Sequence, residues 1–252
     1  SSGTDALGVA FDMVRSGRLD TCLTGGAEAT ICQFGVVSFE VLHALSTGFD
    51  EDPTKASRPF DKNRNGFVMG EGAGALVLES YEHAVSRGAV ILAEVCGYGS
   101  TCDAYHVTAP RPDGTTQAAA IKAALKEAKY CGRRDNLYIN AHGTSTHHND
   151  LFETRAIKYA FGEDAKNVSI NSTKSMTGHL LGGAGGIEAV VCVKSIENNY
   201  VHVTRGTANT DEECDLDYTF GQGKSREINY AMSNSLGFGG HNATLLFKKY
   251  AE

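Results

Sequence analysis

Short apolar runs alternate along this chain with stretches whose apolar residues recur every three or four positions. The runs Thr21 to Thr24, Ala75 to Leu78, Ile91 to Val95, Leu137 to Ile139, Val168 to Ile170, Tyr230 to Met232 and Thr244 to Phe247 have strand length. Between them, helical spacing predicts helices over about Thr4 to Ser16, Tyr81 to Arg87, Thr116 to Ala128, Asp150 to Tyr159 and Gly185 to Glu197. Alternation of this kind predicts an α/β fold. With 29 Gly and only 4 Pro, the turns are expected to be glycine turns of positive φ or close backbone approach.

Three polar, glycine-flanked segments each follow one of these runs: Asn140-Ala141-His142-Gly143-Thr144-Ser145-Thr146, Asn171-Ser172-Thr173-Lys174-Ser175-Met176-Thr177-Gly178-His179 and Asn234-Ser235-Leu236-Gly237-Phe238-Gly239-Gly240-His241-Asn242. That places two histidines, a lysine and a glycine turn at strand ends, where α/β sheets build sites. Taken singly, a histidine in such a place is more often a satisfied structural residue, and a lysine more often solvated. The glycine turn alone would be a hairpin between strands ending at Ser233 and starting at Ala243.

Together the three segments resemble the beta-ketoacyl-acyl carrier protein synthases, the condensing enzymes of the thiolase-like superfamily, and most closely the elongating type II enzymes of bacterial fatty acid synthesis. Arg58-Pro59-Phe60-Asp61-Lys62, Gly66-Phe67-Val68-Met69-Gly70-Glu71-Gly72-Ala73-Gly74 and Asp103-Ala104-Tyr105-His106 extend the resemblance over nearly the whole chain. It implies a thiolase-like α/β fold of two βαβαβαββ halves with helices buried between sheets. Residues 1–84 would be the end of the first half and 85–252 the complete second half.

The resemblance also assigns roles. His142 and His179 would donate hydrogen bonds to the thioester oxygen of malonyl-carrier protein, where decarboxylation develops enolate charge. Lys174 would be a buried electrostatic support, paired with Glu153 because an isolated buried ammonium is costly. The backbone N–H of Phe238 would form half of an oxyanion hole and its ring would gate the acyl pocket, with Gly239 beside it and Phe39 lining that pocket. Thr144 and Thr146, with Thr108 at the tunnel mouth, would hydrogen-bond a phosphopantetheine arm. The implied reaction is a decarboxylative Claisen condensation of an acyl thioester with malonyl-carrier protein. It needs no metal or redox cofactor, only substrates carried on the phosphopantetheine of an acyl carrier protein.

Ser1-Ser2-Gly3-Thr4 resembles what directly follows the family's nucleophilic cysteine, so the chain is expected to be a fragment without that residue and inactive alone in condensation. The family also implies a homodimer. A noncatalytic partner like the chain-length factors of polyketide synthases, or a carrier-binding module without turnover, would fit a missing cysteine. His142, Lys174 and His179 all being present favours an active synthase. The Lys174 segment disfavours a thiolase or plant-type site.

Departures from the family pattern are His147-His148 after Thr146, where proline is usual and a polar surface loop is expected, and His43 in place of a basic carrier-docking residue. Val201-His202-Val203-Thr204-Arg205-Gly206 stands where the family has a proline-containing stretch and is expected to alter only local loop geometry. The length of 252 and 41% hydrophobic residues suffice for a core. A formal charge of −7 gives no general reason to bind nucleic acid. No signal sequence or apolar span is seen, so a cytoplasmic protein with no membrane association is expected. Seven cysteines without a C-x-x-C pair predict reduced, mostly buried thiols and no metal site.

Overall fold

The computed structural model describes residues 1–131 and 136–251. In chain order its elements are helix α1 (Ser2–Arg15), strand β1 (Thr21–Glu28), helix α2 (Gln33–Glu40), strand β2 (Gly72–Glu79), helix α3 (Tyr81–Ser86), strand β3 (Glu94–Cys102), helix α4 (Thr115–Glu127), strand β4 (Leu137–Asn140), helix α5 (His147–Phe161), strand β5 (Ser169–Asn171), helix α6 (Lys174–Thr177), helix α7 (Ala184–Asn198), the short strands β6 (Tyr200–Val201) and β7 (Lys224–Ser225), and strands β8 (Tyr230–Gly237) and β9 (His241–Lys248). Setting aside the β6–β7 ribbon, β3 to β9 follow the expected βαβαβαββ order.

The main sheet has the order β3-β9-β8-β4-β5, while β1 and β2 form an antiparallel pair. Strands β5, β4 and β8 are parallel, and β9 runs antiparallel to both β8 and β3. Helices α1 and α7 pack against both sheets and against each other, forming the buried helical layer that the resemblance implied. Strand periodicity divides the core between the two faces of the main sheet. Leu137, Ile139, Met232 and Leu246 pack on one side with α4 and α5 residues such as Ile121 and Ile157. Tyr138, Ala231, Leu245 and Phe247 pack on the other with Leu7 of α1 and Ala189 and Val193 of α7. Among the described residues no helix is long and apolar enough to cross a membrane.

Four expectations are corrected. The apolar run Ile91 to Val95 is mostly outside a strand. Pairing begins at Glu94, opposite Lys248, and continues through the glycine-rich stretch to Cys102. A strand needs a partner more than it needs propensity, and glycine is required here because α4 lies almost on the strand. A Cβ on Gly99 would stand 2.0 Å from the Ala120 carbonyl oxygen, and one on Gly97 would stand 2.2 Å from that of Ala124. His147 and His148 open α5 instead of forming a loop. The Phe238 hairpin is tighter than expected, with β8 running to Gly237 and β9 starting at His241. Of the cysteines only Cys192 and Cys214 are buried, while Cys32, Cys102 and Cys131 are exposed.

Candidate active site

Asn140 at the end of β4 lies opposite Asn171 of β5 and Ser233 of β8. Strands β4 and β5 therefore release their polar segments at one edge of the sheet, where open α/β sheets bind ligands, while the adjacent β8 carries its own polar segment on to Gly237 before turning. The first segment is held by Glu153 of α5, whose carboxylate oxygens accept the backbone N–H of His142 (2.8 Å) and of Gly143 (2.9 Å). This clamp presents the His142 ring to the cleft.

His179 comes from the second segment but is positioned by a third stretch of chain. Its N–H donates to the Val68 carbonyl (2.7 Å), and its carbonyl accepts the Gly70 N–H (3.0 Å). The Phe67 ring meets it edge-on at 5.3 Å. The Gly66-Phe67-Val68-Met69-Gly70 motif thus serves as its backing strand. The His142 and His179 ring centroids are 5.1 Å apart with the planes at 86°, so both rings address one small volume. Leu181 donates its N–H to His179 Nδ1 (3.1 Å), which makes that nitrogen the acceptor and leaves the proton on Nε2.

Burial, and after it the charge of Lys174, holds both histidines well below the usual imidazole range. They are neutral at physiological pH, and the Nε2–H of His179 is a neutral donor. Lys174 is 1% exposed, as expected, but its partner differs from the expected one. Its ammonium pairs with Glu188 of α7. Both oxygens of Glu153 are occupied by backbone N–H groups, so Lys174 influences Glu153 only through its charge. Burial raises Glu188, and the Lys174 charge and hydrogen bond oppose it.

Phe238 stands half exposed at the tip of the β8–β9 hairpin, whose Gly239 and Gly240 take φ of +83° and +80°. The turn is anchored by Gly239 N–H to the Val107 carbonyl (2.7 Å) and by Asp103 N–H to the Gly240 carbonyl (2.8 Å). Its ring centroid lies 6.5 Å from that of Phe39, which in turn lies 5.2 Å from Phe67. An aromatic line therefore runs from Phe238 through Phe39 and Phe67 to His179. Thr144 and Thr146 share a hydroxyl hydrogen bond of 2.9 Å beside His142. Thr108 follows Val107 and bonds instead to His106. Among the described residues no group of three or more His, Cys, Asp or Glu could hold a metal ion.

Two participants were missed from sequence. Glu188 had a signal, since it is the one charged residue in the apolar stretch Ala184 to Val193, where a buried charge demands a partner. Asn140 had none. Its Nδ2–H donates to Thr173 Oγ1 (2.7 Å), tying the His142 strand end to the Lys174 turn across a distance in sequence that no pattern reveals.

Comparison with known proteins finds matches over nearly the whole chain. Family models described as the beta-ketoacyl synthase N-terminal domain and the beta-ketoacyl synthase C-terminal domain match residues 1–84 and 92–208. A 3-oxoacyl-[acyl-carrier-protein] synthase 2 of Synechocystis is 53% identical over 99% of this chain and 60% of its own length. One from Staphylococcus aureus is 51% identical, with the same shares covered. The chain thus spans about three fifths of the length of the curated relatives it matches. Among solved structures, a type II PKS acyl-carrier protein in complex with its ketosynthase bound to the hexaketide gives a TM-score of 0.96 at 46% identity, covering 99% of this chain and 61% of the other. A beta-ketoacyl synthase from Burkholderia phymatum gives 0.93 at 39% identity, covering 99% and 60%.

Proposed function

The chain belongs to the beta-ketoacyl synthase family, and from that premise we propose that the protein carrying it condenses an acyl thioester with malonyl-carrier protein in fatty acid synthesis. The observation that carries this reading is the pair of neutral histidines 5.1 Å apart, one with its proton fixed on Nε2. Donors aimed at one oxygen stabilise the enolate that forms as the malonyl C–C bond breaks and carbon dioxide leaves. Lys174 contributes by keeping both imidazoles neutral, not by attacking substrate.

The acyl group would be held by a cysteine directly before Ser1. Ser1 lies against the β8–β9 hairpin that carries Phe238: a Cβ on Gly237 would stand 3.2 Å from the Ser1 backbone nitrogen. The enolate carbon attacks the acyl-enzyme carbonyl, the Phe238 N–H receives the developing oxyanion, and collapse expels the thiolate. Thr144 and Thr146 would hold the phosphopantetheine arm of the acyl carrier protein. No further cofactor enters this scheme, and the whole enzyme would be a homodimer as its family implies. The chain-length-factor alternative is disfavoured by the intact His142, His179 and Lys174.

The test uses the full-length protein with the cysteine before Ser1 changed to Gln. Malonyl decarboxylation should persist while condensation is lost. Normal condensation by that variant would overturn the assignment of the nucleophile, and absence of decarboxylation in the unaltered protein would overturn the function.

A further inference from the structure

The replaced stretch at Val201 to Gly206 reaches the site through His202. The imidazole is half-buried, with Nε2 3.0 Å from Thr173 Oγ1 and Nδ1 3.0 Å from the Val203 carbonyl oxygen. A carbonyl only accepts, so Nδ1 carries the proton. In the neutral ring Nε2 must then accept, and among the described residues the proton it takes is that of the Thr173 hydroxyl. That hydroxyl itself accepts from Asn140 Nδ2 at 2.7 Å. Every donor and acceptor in the series is thereby determined: Asn140 donates to Thr173, Thr173 to His202, and His202 to the Val203 carbonyl. Asn171 of β5 secures the far end by donating to the His202 carbonyl (2.7 Å).

The two ends of this series matter to the site. Asn140 is two residues before His142, and Thr173 immediately precedes Lys174. We propose that His202 is a positioning residue: it ends a one-way hydrogen-bond chain that locks the strand end bearing His142 to the turn bearing Lys174. The proposal rests on the function read above, and it deepens that reading by naming a residue that acts through Thr173 and Asn140 without touching substrate.

Protonation would break the chain at its last link. An imidazolium has two donors and no acceptor, so Thr173 Oγ1 would face donors from both sides while its own proton lost its acceptor. Burial already holds His202 below the usual imidazole range, against a smaller opposing pull from the Val203 carbonyl. Of the charged groups on the neighbouring elements, Lys174 on α6 pairs with Glu188, Lys224 on β7 pairs with Asp217, and Arg205 is exposed.

The experiment has two arms. In the first, histidine-selective nitrogen NMR at pH 7.5 should find His202 neutral with the proton on Nδ1, and Thr173→Val should shift its Nε2 resonance. An Nε2-protonated or charged ring, or no response to T173V, would overturn the chain. In the second, decarboxylation by the full-length protein is followed against pH. His202→Phe should lower kcat about tenfold with KM nearly unchanged, as expected for a small misplacement of reacting groups. His202→Gln offers an acceptor that cannot titrate, so it should retain most of the rate at pH 7.5 and lose the part of the acid-side decline that His202 causes. Wild-type kcat in H202F, or an unaltered acid limb in H202Q, would overturn the positioning role. Should H202F fail to fold, H202Q and the NMR arm decide. An inactive wild-type protein would refute the function alone, leaving the first arm to judge the chain.

Discussion

Lys174 of α6 and Glu188 of α7 close on each other away from water, each side chain 2% exposed. Removing one partner leaves the other as an uncompensated buried charge. Lys174→Ala is therefore expected to destabilise the fold by about 3–5 kcal/mol, whereas Lys174→Met combined with Glu188→Leu should cost much less. Urea unfolding of the three proteins checks this, and equal losses in the single and double variants would mean that charge pairing is not what holds these groups.

The two histidines should each matter to decarboxylation. His142→Ala and His179→Ala are each expected to lower the rate by about 10²–10³, the usual cost of removing one donor to a developing oxyanion. The double variant should fall well short of the product, because on the proposed function two rings 5.1 Å apart would serve one oxygen. Carbon dioxide release from malonyl-carrier protein measures it, and a neutral single substitution would remove that ring from the mechanism.

Glu153 makes stability depend on pH in an unusual direction. Burial pushes its carboxyl up to about 7, while the Gly143 and His142 N–H groups resist the shift. A folded-state value above the unfolded 4.5 means that the contribution is complete below pH 4.5 and is lost as pH rises through 7. Relative to Glu153→Gln, the wild type should gain about 3 kcal/mol between pH 8 and 4.5, from 1.36 kcal/mol per unit. Parallel chemical denaturation across that range tests it; a constant difference would place the Glu153 carboxyl in the ordinary range.

Gly99 tests the close approach of α4 to β3. A Cβ there would overlap the Ala120 carbonyl, which belongs to helix backbone and cannot turn aside. Gly99→Ala is expected to destabilise by about 1–3 kcal/mol or more, as overpacking does. Gly88, with open space around it, serves as a control for the loss of glycine's positive φ alone. Thermal unfolding of G99A and G88A should separate the two effects, and an unshifted G99A would show that helix and strand can part at little cost.

The sequence by itself determined the alternation of strands and helices and the polar segments that follow the apolar runs. These are local facts: Leu137 to Ile139 reads as a strand because it is a short apolar run, and only the fold sends Leu137 and Ile139 to one core and Tyr138 to the other. The sequence also determined that Lys174 must be paired once buried, since the cost of an isolated ammonium does not depend on the partner's identity. Tertiary structure alone decided that the partner is Glu188, because Glu153 is already engaged by the His142 and Gly143 N–H groups. It decided that Gly97 and Gly99 lie in a strand, because β9 pairs with them and α4 lies too near for any side chain. It brought His202 against Thr173 as well, joining residues 29 apart. Periodicity records which face a residue turns to the core, but which two groups then come within hydrogen-bond reach follows only from how those faces are stacked.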